Sequence, residues 1–167
     1  MTLPPCPNRR HTQVLFPSSA EEAAILASRH QAPYLAGASA AQLGWSKNTG
    51  WPAKAISLHA LDELQGCRRA VDHWSIGALT RLSELTSNRA LCRELPTLHG
   101  ALLGVGAPGI RHLATLGGNI GFAGDLMPIL LVLDTQVDWM QGAGPLHQSA
   151  LSDWLSQAPE HALITRI

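Results

Sequence analysis

Charge is scarce in this chain. Only 14% of its 167 residues are Asp, Glu, Lys or Arg, where soluble proteins usually carry about 25%. Acids and bases balance to a formal net charge of zero, and no basic run exceeds Arg9-Arg10 or Arg68-Arg69. Without a dense positive patch, phosphate neutralisation cannot drive nucleic-acid binding. Long hydrophobic runs are missing too, and none reaches the ~18 residues that a membrane-spanning helix needs. The N-terminus, MTLPPCPNRRHTQ, has no apolar core of a secretory signal, so a cytoplasmic location is expected. There are three cysteines, Cys6, Cys67 and Cys92. They form no CxxC pair, which excludes the usual zinc and iron–sulfur patterns and fits reduced thiols. None of the eight histidines stands in HxxxH or HExxH spacing, so no metal is expected in this chain.

Apolar residues, by contrast, make up 46% of the chain. At this length a compact fold buries roughly 70% of its unfolded surface, enough for a core without staples. The sparse charge fits either a surface partly covered by partner chains or simply a charge-poor globule.

Residues 1–13 read as a loose, Pro-rich arm. Ser18 and Ser19 followed by Glu21 and Glu22 form two overlapping capping boxes, which start a helix running to about His30. Pro33 to Ala36 and Ala55 to Leu58 read as buried strands, which gives a small α/β lobe over about residues 14–60. Beyond it, the runs 67–71 and 74–78 flank Asp72-His73 as a hairpin. Thr80 is placed to cap a helix over 81–86. Pro96 suits the first turn of a helix to about Leu103, and Pro128 that of a helix over 126–133. A strand over 135–140, a Gln141–Gly144 turn, a helix over 152–157 and an apolar run over 162–167 complete the reading. The second lobe, about 61–167, is expected to centre on an antiparallel sheet.

Two glycine motifs compete as a cofactor site. Gly104-Val-Gly106-Ala-Pro-Gly109 has GxGxxG spacing, but that motif needs a strand before it and a crossover helix after it. A helix precedes it here, and only seven residues separate it from the next glycine pair. The stronger candidate is Thr115-Leu116-Gly117-Gly118-Asn119. A Gly-Gly pair lets backbone approach a ligand closely, and successive N–H groups can converge on an anion. Thr115 and Asn119 add directional hydrogen bonds suited to a dinucleotide pyrophosphate.

Paired with Leu35-Ala-Gly-Ala-Ser-Ala40, the segment IRHLATLGGNI resembles the FAD-binding domain of the molybdenum hydroxylases, such as xanthine dehydrogenase and the carbon monoxide dehydrogenase medium subunit. There, a first loop like AGGTD and a second like IRNxATIGGN grip FAD from two lobes. GDLMPILLVLD, the IGALT of Ile76 to Thr80 and the strand over 160–167 continue the likeness, which spans roughly residues 14–167. The resemblance implies an α+β, two-lobed FAD-binding fold of the vanillyl-alcohol-oxidase/p-cresol-methylhydroxylase type. It implies that Leu35, Ala36, Gly37, Ala38, Ser39 and Ala40 meet the pyrophosphate from one side. Ala114, Thr115, Gly117, Gly118 and Asn119 would close from the other, Val105 and Gly106 would lie along the cofactor, and Asp125 would hold the adenosine ribose. Asp125 can equally serve as a helix N-cap, and Ser39 as a turn residue. Arg111 is expected to be an ion-pair or scaffold residue.

The chain departs from the family at Ala38 and Ala40, where glycine and an acid are usual. It also has about three residues fewer between Asn119 and Asp125, without the usual Ser-Pro. The family carries a further C-terminal domain, so a chain stopping at Ile167 reads as a reduced or shortened member. The expected function is an FAD-binding subunit relaying electrons between an iron–sulfur partner and an external acceptor such as NAD, beside a molybdenum-cofactor subunit. It would not be active alone. The alternative is a scaffold or assembly protein that kept the fold and lost the flavin.

Overall fold

The computed structural model describes residues 12–39, 41 and 52–167; most of the N-terminal arm and Ala40 lie outside the described residues. Strand β1 (Gln13–Leu15) leads into helix α1 (Ala20–His30), then β2 (Tyr34–Leu35) and β3 (Lys54–Ser57). The three strands form a parallel sheet in the order β1-β3-β2. β1 is absent from the sequence reading because it holds only two apolar residues beside a polar arm. α1 starts as the capping boxes indicate: the Ser19 hydroxyl accepts the Glu22 amide at 3.1 Å. The Glu22 carboxylate reaches back to the Ser18 amide at 2.7 Å. The helix presents Ala20, Ala23, Ala24 and Ala27 to the sheet, all buried. Small side chains let it lie close over Ile56 and Leu58 in a shared apolar cluster.

Next come a hairpin of β4 (Cys67–Arg69) and β5 (Trp74–Ile76) and a run of short helices. These are α2 (Leu82–Ser87), α3 (Arg89–Glu94), α4 (Pro96–Gly104), α5 (Pro108–Arg111), α6 (Leu116–Gly121) and α7 (Met127–Val132). The chain then forms β6 (Gln136–Met140), β7 (His147–Ala150), α8 (Leu151–Gln157) and β8 (Leu163–Arg166). Strands β7, β6 and β8 make an antiparallel sheet in that order. β7 is missing from the sequence reading because His147-Gln-Ser-Ala150 carries no apolar alternation.

β8 is not a free edge. Ile76 and Ile167 exchange both backbone hydrogen bonds, at 2.7 and 2.8 Å, and Gly77 bridges Arg166. The hairpin and the three-stranded sheet are thereby joined. Leu163 belongs to the cluster under α1, whereas its neighbour Ile164 belongs to the larger cluster among α2–α8. One strand therefore walls both cores, as the period of two in a strand requires.

Thr80 does not cap α2. The residue at that cap is Arg81, without a side-chain bond, while the buried Thr80 hydroxyl donates to the Gly66 carbonyl at 2.9 Å. The long-range carbonyl wins because Thr80 sits in a turn wedged between two cores.

Tyr34 ties the first sheet to the far end of the chain, donating from its hydroxyl to the His161 carbonyl at 2.9 Å. Burial raises the Tyr34 pKa above its ordinary value. The folded state then holds this proton more tightly than the unfolded state, so the contribution is full below about pH 10 and is lost as pH rises above it. Tyr34→Phe should cost about 1 kcal/mol at neutral pH. The gap between wild type and variant should shrink in denaturant titrations above pH 10.

Candidate functional site

The segment Ile76 to Thr80 is the scaffold on which the second glycine loop is mounted. Gly77 donates to the Gly66 carbonyl at 2.8 Å, Leu79 to Leu64 at 2.8 Å, and Ala78 to Thr165 at 3.1 Å. The Ala78 carbonyl in turn accepts the Gly117 amide at 2.8 Å, and the Thr80 carbonyl the Leu116 amide at 3.0 Å. A β-carbon on Gly117 would stand 2.6 Å from the Ala78 β-carbon. Gly117 is therefore glycine so that the loop can seat on Ala78.

Thr115 begins α6. It is buried, and its hydroxyl accepts the Gly118 amide at 3.1 Å while its carbonyl accepts the Asn119 amide at 2.9 Å. The amides of residues 116–119 are thus all held within the protein. This corrects the expectation that the Gly117–Asn119 N–H groups converge on an anion: Ala78 takes the Gly117 amide, and the Thr115 cap and carbonyl take those of Gly118 and Asn119. The Thr115 hydroxyl keeps its proton to donate, since its oxygen is the acceptor in the cap.

The two glycine loops meet. A β-carbon on Gly37 would lie 1.7 Å from the Leu113 carbonyl oxygen and 3.1 Å from the Ala114 α-carbon. One on Gly118 would lie 2.9 Å from the Thr115 hydroxyl and 3.8 Å from the Ala36 β-carbon. Leu35 remains in the sheet, its carbonyl accepting the Leu58 amide. Among the described residues nothing accepts the Gly37 or Ala38 amide. Ser39 is half-buried beside them, and Ala40 falls outside the described residues. Ala38 has φ +54°, a left-handed conformation in which glycine is free of strain and alanine is not.

The GxGxxG spacing of Gly104–Gly109 lies between two helices. Gly104 ends helix α4 and Gly109 lies within α5, so no strand precedes the turn. Val105 is turned into the core with 6% exposure. The Arg111 guanidinium binds the carbonyls of Leu103, Val105 and Gly106 at 3.1, 3.1 and 2.8 Å. Arg111 thus stops α4 and braces the turn, the scaffold role expected of it.

Asp125 is exposed and is not the cap of α7: that position is Leu126, without a side-chain bond. Two contributors escaped the sequence reading. Leu113 offers the backbone against which Gly37 packs, and Gly124 leaves room for the Asn119 side chain, whose amide nitrogen would be 2.4 Å from a β-carbon there. The only signals were a glycine in each loop with no turn of its own to make. Among the described residues no cluster of three or more His, Cys, Asp or Glu could hold a metal. Cys67 and Cys92 are free thiols, and burial pushes the Cys67 thiol up.

These residues fit an anionic dinucleotide at the loop junction: amides at Gly37 and Ala38 with no acceptor among the described residues, a hydroxyl proton at Thr115, and glycine at positions 37 and 118, where a β-carbon would intrude. Two substitutions test the junction. Gly37→Ala should force the loops apart and cost about 2–3 kcal/mol, as overpacking does. Ala38→Gly should raise stability by about 0.5–1 kcal/mol through relief of the left-handed strain. Thermal or urea denaturation of the two variants checks both signs.

A sequence profile described as "FAD binding domain in molybdopterin dehydrogenase" matches residues 10–167. The alpha subunit of the 6-hydroxypseudooxynicotine dehydrogenase complex of Paenarthrobacter nicotinovorans is 28% identical over 123 residues, which are 70% of this chain and 42% of the relative. The xanthine dehydrogenase FAD-binding subunit of Escherichia coli O157:H7 is 33% identical over 97 residues, 58% of this chain and 33% of that subunit. Less than half the length of either relative is therefore matched. Among solved structures, quinoline 2-oxidoreductase from Pseudomonas putida 86 superposes with a TM-score of 0.86 over 99% of this chain and 59% of that one, at 18% identity. Reconstituted CO dehydrogenase from Oligotropha carboxidovorans gives 0.84 over 93% and 58%, at 23% identity. The mixed α/β fold is the one these enzymes contain, and the chain belongs to the family of FAD-binding domains in molybdopterin dehydrogenases.

Proposed function

We propose that this chain binds FAD at the junction of its two glycine loops and is the flavin station of a molybdenum-hydroxylase-type oxidoreductase. The observation that carries the reading is the pair of amides at Gly37 and Ala38, which have no acceptor among the described residues. Gly37 stands against Leu113–Ala114, where its position could accommodate no β-carbon. Backbone donors of this kind hold a pyrophosphate without a cationic side chain.

In this reading the amides of Gly37, Ala38 and Ser39 bind the phosphates, and the Thr115 hydroxyl donates from the opposite loop. Gly117 seats the second loop, Gly118 keeps its exposed face clear, and Asn119 shapes the turn behind it. Asp125 accepts from the adenosine ribose, and the backbone of Val105–Gly106 borders the cofactor. When bound, FAD supplies the redox chemistry, while the chain supplies binding and orientation. The two-lobed arrangement of the vanillyl-alcohol-oxidase type belongs to the proposal, with lobes divided near residue 60. So do an iron–sulfur donor, a molybdenum-cofactor subunit and an external acceptor such as NAD. No helix among the described residues is long and apolar enough to cross a membrane, and we place the complex in the cytoplasm.

A second reading has its own support. The left-handed Ala38 and the internally bonded amides of α6 favour a scaffold that keeps the fold without flavin. Titration of the folded chain with FAD, followed by flavin fluorescence or calorimetry, separates the two. Binding is expected, and Gly118→Val, whose β-carbon would press on the Thr115 hydroxyl, should weaken it at least about a hundredfold. Equal affinities would remove the second loop from the site, and a folded wild type that binds no FAD would favour the scaffold.

A further inference from the structure

Asp125 is held on both sides by one residue. The Gly124 amide donates to the Asn119 carbonyl at 2.8 Å, and the Leu126 amide donates to Asn119 Oδ1 at 3.2 Å. Between these two bonds the Asp125 carboxylate is exposed, with no hydrogen-bond partner among the described residues. Its backbone is fixed while its side chain stays available.

The termination of α6 explains how this is arranged. Ala123 has φ +51° and donates to the Ile120 carbonyl at 2.9 Å, while Gly124 reaches the Asn119 carbonyl. This is the left-handed helix stop whose first residue is usually glycine. Here the glycine stands one position later, at Gly124. A β-carbon there would lie 2.4 Å from Asn119 Nδ2 and 2.8 Å from the carboxamide carbon. The turn accepts strain at Ala123 and keeps glycine where the Asn119 side chain must pass.

Resting on the FAD reading above, we propose that Asn119 is a positioning residue that acts on the ribose through Asp125, rather than a ligand to the phosphates. Its carbonyl and Oδ1 hold the amides of Gly124 and Leu126, the residues on either side of Asp125, so the 120–126 turn presents the carboxylate in one place. Oδ1 is committed to the Leu126 amide, which fixes the carboxamide orientation and turns Nδ2 toward Gly124. The clamp is local and independent of any bound group, so it can be measured in the flavin-free chain.

The test is a double-mutant cycle with a second readout. FAD affinity is measured for wild type, Asn119→Ala, Asp125→Ala and the double variant. Amide hydrogen exchange at Leu126 is followed without FAD. Each single variant should bind FAD about tenfold more weakly, and the double variant no more weakly than Asp125→Ala, because residues that act in series do not add. Exchange at Leu126 should accelerate in Asn119→Ala and stay at the wild-type rate in Asp125→Ala. Asn119→Asp, which keeps the acceptor, should retain the protection. Gly124→Ala, which pushes the carboxamide off Leu126, should reproduce the faster exchange and the weaker affinity if Asn119→Ala folds poorly. Losses that multiply to about a hundredfold in the double variant, or unchanged exchange at Leu126, would overturn the positioning role. A folded wild type that binds no FAD would instead overturn the flavin reading on which it rests.

Discussion

The close approach of Gly37 to the Leu113 carbonyl organises the site. Backbone meets backbone there without a side chain between, so the loop after β2 and the loop before α6 become one surface. A hydrogen atom is the only substituent the geometry accepts at Gly37. That contact sets two amides with no acceptor among the described residues against Leu113–Ala114, next in sequence to the buried Thr115, and no cation is needed to make the junction attractive to an anion. A charge-poor chain can in this way still bind a charged cofactor.

The second loop depends on the Ile76–Thr80 segment, which is bonded to Leu64, Gly66, Thr165, Leu116 and Gly117 within five residues. Those partners come from the segment before the hairpin, from β8 and from α6. The two glycines of the pair have separate uses as a result. Gly117 is buried for packing on Ala78, and Gly118 is exposed toward the opposite loop. Adjacent identical residues in the sequence answer to unrelated constraints.

Much of the architecture was legible, and the reasons differ by element. Helix α1 was marked by serines and glutamates that cap in the structure as their spacing indicates. Pro96 and Pro128 both fall in first turns, as their missing N–H groups favour. β1 and β7 were hidden because Gln13–Leu15 and His147–Ala150 lack a strand's alternation, and β1 is placed by a neighbour distant in sequence. Thr80 was misread for the same reason, since its partner is the Gly66 carbonyl. The meeting of the two loops came from resemblance, because nothing local in residues 35–40 points to residue 113. What no pattern could reveal was the left-handed backbone at Ala38 and Ala123, positions where propensity calls for glycine. Nor could spacing show that the amides after Thr115 would be consumed by the Ala78 and Thr80 carbonyls and by the Thr115 cap and carbonyl. The residue types of the loop were readable, but the state of their hydrogen bonds was not.

Strand β8 carries a consequence for how the molecule forms. Its successive residues Leu163 and Ile164 serve different cores, and its backbone is shared between the hairpin and the three-stranded sheet. Neither core is sealed until this strand, more than a hundred residues from its partner helix α1, has docked. Such distant pairings make folding slow relative to helical domains and tie the whole chain into one transition. A fragment lacking β8 would expose both interiors at once, so the chain should acquire its structure as an all-or-none event rather than core by core.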